Sequence, residues 1–456
     1  MKRTLAQFAA CADGALRGAD SAFAEVVIDS RRVAAGDLFL ALPGTRADGH
    51  DFVAAAAGAG AAGAVVSRPV DAPVPQILVA DVTRALTRAG SAWRTAFSGT
   101  VLGVAGSNGK TTTKEMLKSI LAQSGPCLAT RGNLNNQLGV PLTLLRLADH
   151  YRSAVIEIGA NRAGDVAELL ALARPRVGLI TNAGAEHLEG FGSLEGVARA
   201  EGEMVAGLDP DGIAVINADD PYAPLWRSMT RARVVGFGLG ADADVRATGV
   251  ALEADGRGFA TRFTLHHGAD AVAVALALAG RHNVHNALGA AAAALAAGAT
   301  PAQVAAGLAS VRPVEGRLQL KALAGGAWLV DDSYNANPSS AQAALEVLAQ
   351  LPGRRWLVLG DMAELGAAGP ASHRETGAQA RALGVERLFT FGPLAALAAE
   401  GYGAGAECHT DMASLVRAVS GALSGDVRLL VKGSRVNRLE RLVTALTGAP
   451  PARRAG

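Results

Sequence analysis

VLGVAGSNGKTTTKEMLKSIL, residues 101–121, is the stretch on which the fold turns. Its apolar run from Val101 to Ala105 reads as a short buried strand. Gly106-Ser107-Asn108-Gly109 reads as a turn that opens a helix over Lys110 to Gln123, with Met116, Leu117, Ile120 and Leu121 on one face. A strand, a glycine turn and a helix N-terminus make an anion cradle. Glycine lets backbone N–H groups approach phosphate oxygens, and the helix dipole favours negative charge there. Lys110 can reach terminal phosphates, and the Thr111 or Thr112 hydroxyl can take a position on Mg²⁺. The pattern is G-x-x-G-K-T-T. The longer form G-x-x-x-x-G-K-[ST] needs glycine at 104, where this chain has Val104. That difference points away from the commonest GTPases and motors and towards a nucleotide-dependent ligase. The bland alternative is an ordinary strand–turn–helix with a surface lysine.

A chain of 456 residues is long enough for two to four domains, each with its own core. Half the residues are apolar and the net charge is only +2, so no basic surface advertises nucleic acid or anionic lipid. Cys11, Cys127 and Cys408 are far apart and fit neither a zinc nor a disulfide spacing, which suits a reducing compartment. The start, MKRTLAQFAAC, is too short and too polar at Gln7 to be expected to act as a secretory leader. The most apolar stretch, Ala287 to Ala299, is mostly alanine and reads as a buried helix rather than a membrane span.

Working outward, residues 1–97 alternate short strands with helices and carry a polar cluster, Asp29-Ser30-Arg31, then Gly44, Asp48, Gly49 and His50. Turn chemistry alone would favour these residue types. Residues 98–313 hold the glycine turn and further strands at Ala154–Ile158, Val177–Thr181 and Ile213–Asn217, which predict a parallel, helix-covered sheet. Ligands bind beyond the carboxyl ends of such strands, and Glu157, Asn182 and Asn217 to Asp220 fall there. A glutamate in an apolar strand costs several kcal/mol if buried alone, so Glu157 predicts a metal or a salt bridge. Alternation over 244–278 reads as inserted antiparallel hairpins. Residues 314–456 restart the β/α alternation, with polar or glycine residues closing each strand and no G-x-G-x-x-G loop.

Taken in order, these motifs resemble the Mur ligase family. They are DSRRVAAGDLFLALPG at 29–44, GSNGKTT at 106–112, NLNNQLGVPLTLL at 133–145, EIGAN at 157–161 and AEHLEGFGS at 185–193. GRHNVHN at 280–286, EGR at 315–317, DDSYNANP at 331–338, GDMAELG at 360–366 and VKGSR at 431–435 complete the series. Within the family they resemble the branch that joins D-alanyl-D-alanine to UDP-N-acetylmuramoyl-tripeptide. The resemblance implies an α/β fold of three domains. An N-terminal UDP-sugar binder would span 1–97, a central parallel-sheet P-loop ATPase with inserted hairpins 98–313, and a C-terminal Rossmann-like dipeptide-binding domain 314–456.

It also implies an ATP- and Mg²⁺-dependent amide ligase working through an acyl phosphate, as a cytoplasmic monomer acting on small molecules. Gly106, Ser107, Asn108, Gly109, Lys110, Thr111 and Thr112 would hold the ATP phosphates. Asn283 and Asn286 would receive adenine, Asp332 the ribose and Arg317 the γ-phosphate. Lys110, Glu157, His187 and Arg317 would be catalytic, with Thr111, Glu157 and His187 on the metals. Ser30, Arg31, Asn135, Asn136, Asn335, Lys432 and Ser434 would bind the substrates. One position departs from the family. A lysine fourteen residues beyond the AEH histidine is usually carbamylated there, and counting from His187 lands on Glu201. A related ligase using another amino acid or folate, and a non-catalytic nucleotide-sugar binder, are the alternatives. Third-residue identity, diaminopimelate or lysine, stays open.

Overall fold

Three sheets follow one another along the chain in the computed structural model, which describes residues 3–44, 47–184 and 188–448. The middle sheet has nine strands in the order Asp270–Leu276, Phe259–His267, Val245–Ala254, Arg233–Gly238, Ile213–Asn217, Val177–Ile180, Thr100–Ala105, Ser153–Glu157 and Cys127–Ala129. From Val245–Ala254 to Cys127–Ala129 every neighbouring pair is parallel. Both faces of this part are covered. Leu102, Val104 and Val155 pack under the helices Lys110–Leu121 and Arg281–Ala296, while Val101, Ala105 and Ile156 pack on the other side with Ala198 and Met204. Burial on two faces is why these strands read as unbroken apolar runs.

The hairpins expected over 244–278 form, but they extend this same sheet at its edge rather than standing apart. Their far end serves a second purpose. Phe259 is buried in one cluster with Leu318 and with Leu320 and Val330 of the third sheet. The third sheet runs Gln319–Ala322, Trp328–Asp332, Val427–Lys432, Arg354–Gly360, Arg387–Phe391 and Ala406–His409, parallel except for its first strand. Gln319–Ala322 and Ala406–His409 are edge strands not anticipated from sequence.

The N-terminal sheet has five short strands, four of them parallel. It is joined to the middle unit by a shared core in which Trp93 and Leu86 pack with Leu142 and Leu145. Arg94 adds two hydrogen bonds across this junction, donating to the carbonyls of Ala173 at 2.6 Å and Arg174 at 2.7 Å.

Candidate active site

The chain leaves Thr100–Ala105 at a switch point: the following strands lie on one side of it and Val177–Ile180 on the other. A crevice opens at the carboxyl end of such a strand, and Gly106 to Gly109 occupy it. Backbone shape explains both glycines. Gly106 has φ 118° and Gly109 φ 83°, the left-handed region. A Cβ would stand 2.2 Å from Thr181 Oγ1 at the first and 2.2 Å from Asn286 Oδ1 at the second. The main chain of Asn108 is held from the next strand: its N–H donates to Asn182 Oδ1 at 3.0 Å, and its carbonyl accepts from Thr181 Oγ1 at 2.7 Å and Asn182 Nδ2 at 2.9 Å. Lys110 opens the helix Lys110–Leu121 and folds its ammonium back onto the carbonyls of Gly106 and Ser107. These carbonyls hold the charge where terminal phosphates would be bound. Thr112 is half-buried in the same first turn.

Glu157 closes its strand and is 2 % exposed. One carboxylate oxygen accepts from Thr111 Oγ1 at 3.2 Å and Asn135 Nδ2 at 3.0 Å. The other lies 3.4 Å from the ammonium of Lys114 and makes no hydrogen bond. Lys114 is fully buried and divides its charge, standing also 3.2 Å from Glu115 and donating to the Thr130 carbonyl at 2.8 Å. Sequence reasoning offered a metal or a salt bridge for Glu157; a long ion pair is present, and one buried oxygen is left over. Lys114 was missed, although it falls on the helix stripe of Leu117 and Leu121, where a surface lysine does not belong.

Glu201, on the helix Leu194–Ala206, is also 2 % exposed, and its Oε2 accepts the Gly106 N–H at 2.6 Å. It is a member of the phosphate loop's own surroundings and no exposed helix glutamate. His187 lies outside the described residues. Asn283 and Asn286 are buried beside the loop, Asn286 Nδ2 donating to Asn283 Oδ1 at 3.1 Å. Asn136 Oδ1 accepts from the N–H groups of Leu138 and Gly139, at 3.2 and 2.9 Å, in the turn that leads into the helix Gly139–Leu144.

A second cluster belongs to the third sheet. Asp332 Oδ2 pairs with Lys432 Nζ at 2.5 Å, and Lys432 also donates to the Asn335 carbonyl at 3.0 Å. The Arg317 guanidinium stacks 4.6 Å over the Tyr334 ring with its Nε buried and without a hydrogen bond. Ser434 Oγ donates to the Ala336 carbonyl at 3.2 Å and accepts from the Ala363 N–H at 2.8 Å. His282, opposite this cluster, is pushed down to about 4 by burial, against the pull of Asp332. Ser30 and Arg31 stand apart in the N-terminal unit. Arg31 pairs with Asp29 at 2.7 Å and is otherwise exposed.

Comparison with known proteins agrees with this geometry. The Mur ligase middle domain matches residues 104–294, the Mur ligase, glutamate ligase domain matches 316–435, and the Mur ligase family, catalytic domain matches 23–93. The chain is 43% identical over 447 residues to the UDP-N-acetylmuramoyl-tripeptide--D-alanyl-D-alanine ligase of Escherichia coli (strain K12), covering 97% of this chain and 98% of that one. It is 35% identical to the ligase of the same name from Bacillus subtilis (strain 168), covering 99% of each. Among solved structures it resembles MurF from Acinetobacter baumannii, with TM-score 0.89 and 34% identity over 98% of this chain and 99% of that one. The MurF ligase of Thermotoga maritima in complex with ADP superposes with TM-score 0.82 at 29% identity, covering 93% of this chain and 97% of that one. The chain belongs to the Mur ligase family.

Proposed function

We propose that this chain joins D-alanyl-D-alanine to UDP-N-acetylmuramoyl-tripeptide at the expense of ATP, completing the pentapeptide precursor of peptidoglycan. The observation that carries the reading is the phosphate loop at the sheet's switch point, with Lys110 at its helix start and Glu157 beneath Thr111. The tripeptide carboxylate attacks the γ-phosphorus, ADP leaves, and an acyl phosphate forms. The dipeptide amine then attacks the acyl carbon, and phosphate leaves with the former carboxylate oxygen. Both steps bring negative charges together, so preorganised positive groups supply most of the acceleration. Lys110 exchanges its loop carbonyls for phosphate oxygens. Arg317, whose Nε has no hydrogen bond, is suited to the γ-phosphate.

Mg²⁺ fits the residues present. Glu157 has a buried oxygen without a hydrogen bond, and Lys114 is shared with a second carboxylate. Among the described residues no three His, Cys, Asp or Glu side chains gather for a metal. Mg²⁺ commonly keeps several waters and binds through one or two protein oxygens plus substrate phosphates. Thr111 and Glu157 would hold it, with His187 and Glu201 as the further candidates. When bound, it neutralises charge on the phosphoryl oxygens. Glu201 supplies a carboxylate by itself where the family usually carries a carbamylated lysine, so this enzyme would need no dissolved CO₂. Asn135, Asn136, Asn335, Lys432 and Ser434 line the substrate path, and Ser30 and Arg31 hold the uridine nucleotide. The domain boundaries at 97–98 and 313–314, a monomeric state and a cytoplasmic location complete the reading. Phosphate release from ATP, measured with UDP-muramoyl-tripeptide and either D-Ala-D-Ala or single amino acids, tests it. Release should require the dipeptide, and release with a single amino acid alone would favour another ligase of the family.

A further inference from the structure

The described residues include a ring of three side chains that joins the phosphate loop to the third sheet's unit, across more than two hundred residues of sequence. Asn337 Nδ2 donates to Asn108 Oδ1 at 2.8 Å, Asn108 Nδ2 donates to Ser339 Oγ at 3.1 Å, and Ser339 Oγ donates to Asn337 Oδ1 at 3.1 Å. Each of the three side chains donates once and accepts once around the ring. Asn108 is fixed from behind, since its backbone N–H and carbonyl are both bonded to the end of the strand Val177–Ile180 through Thr181 and Asn182. Asn337 is fixed as well, because its Oδ1 caps the helix Pro338–Ala349 through the Ser340 N–H at 2.8 Å. The ring therefore connects two rigid parts. Gly184 is packed against it, and a Cβ there would stand 2.8 Å from Asn108 Nδ2 and 3.4 Å from Ser339 Oγ.

We infer that Asn337 and Ser339 are positioning residues, which lock the amine-receiving unit onto the phosphate loop so that the acyl phosphate meets the dipeptide rather than water. This rests on the ligase reading above. The apolar contacts around Phe259 set where the third unit rests, but they lie at the hairpin end. The ring is at the loop itself, where an error of about 1 Å separates productive from unproductive attack. Without it, ATP is still bound and the carboxylate is still phosphorylated. Water then attacks the acyl phosphate, releasing phosphate and restoring the carboxylate, so ATP is spent without an amide bond.

Two variants in the third unit test this while leaving the backbone anchoring of Asn108 on Thr181 and Asn182 intact. Asn337→Ser keeps a good helix cap but is too short to reach Asn108. Ser339→Ala removes the one hydroxyl that accepts from Asn108 and donates to Asn337. Both should raise the dipeptide KM about tenfold while the ATP KM stays within about twofold, a split that loss of a uniform structural contribution does not give. Phosphate released per amide formed should rise above one, and X-ray scattering with ATP analogue and tripeptide bound should give a larger radius of gyration than wild type. Thermal unfolding of Asn337→Ser should stay close to wild type. Unchanged dipeptide KM and one-to-one stoichiometry in both variants, in a wild type that ligates, would overturn the positioning role. A wild type that forms no amide would instead overturn the ligase reading.

Discussion

Glu157 and Glu201 are both 2 % exposed and both touch the phosphate loop, yet they are built for different work. Glu157 ends a strand, and one of its oxygens has no hydrogen bond. Glu201 comes from a helix on the other face of the sheet from Lys110–Leu121, and its Oε2 already holds the Gly106 N–H. A buried carboxylate oxygen without a donor is costly unless a cation completes it. A carboxylate bound to the loop's first N–H shapes the loop and sets its charge. Burial alone does not distinguish these roles. What each oxygen touches does.

Lys110 lies at the centre of the comparison, because its ammonium folds onto the carbonyls of the loop that both carboxylates touch. Lys110→Ala should lower kcat by roughly a thousandfold while circular dichroism stays unchanged, the scale expected when one preorganised charge is lost. A variant retaining a third of the wild-type kcat would remove the phosphate-loop assignment. Glu157→Gln comes next. It keeps the size of the side chain and removes the charge that receives a cation, so kcat should fall about a hundredfold and the half-saturating Mg²⁺ concentration should rise. An unchanged Mg²⁺ titration would mean that Glu157 is only the partner of Lys114.

Glu201 sharpens the contrast. Glu201→Gln can still accept from Gly106, so a purely structural contact would survive it. If its negative charge is what counts, Gln and Ala variants should both lose about thirtyfold in rate. Wild type should also run equally fast in CO₂-stripped and bicarbonate-containing buffer. Strong bicarbonate activation of wild type, or a fully active Gln variant, would break the assignment. The smallest expected effect belongs to His282, outside both carboxylates. Burial lowers its folded pKa from 6.5 to about 4, so the unfolded chain takes up the proton first as pH falls. Its stabilising contribution is complete above pH 6.5 and is lost progressively towards pH 4. Denaturant titrations at pH 7.5 and 5 should show that loss, reduced in His282→Gln; equal pH slopes would exclude His282 as its source.

The loop and its two carboxylates differ in how legible they were. Gly106, Gly109, Lys110 and Thr111 are adjacent in sequence, so their chemistry is local and their spacing announces it. Glu157 stood out as a charge in an apolar run. Lys114 did not, because its partner lies in another strand, although its place on the buried stripe of the helix was a usable signal. Glu201 could be counted to, but its burial and its bond to Gly106 depend on helix packing that no spacing encodes. The ring of Asn108, Asn337 and Ser339 is a tertiary event between residues far apart. The missed strands Cys127–Ala129, Gln319–Ala322 and Ala406–His409 are three or four residues long and lie at sheet edges, while the missed Arg233–Gly238 opens on exposed and half-buried residues, so in each the apolar signal is weak. The central strands of the middle sheet were legible because burial on two faces forces them to be apolar throughout.

The central claim is that ATP activates the tripeptide carboxylate at this loop, and oxygen transfer tests it most directly. UDP-muramoyl-tripeptide carrying ¹⁸O in its terminal carboxylate should be incubated with ATP, Mg²⁺, D-Ala-D-Ala and the enzyme, and the released phosphate analysed by mass spectrometry. The acyl-phosphate route predicts that each phosphate released with amide formation carries one oxygen from the carboxylate. Pentapeptide formed alongside unlabelled phosphate would contradict it.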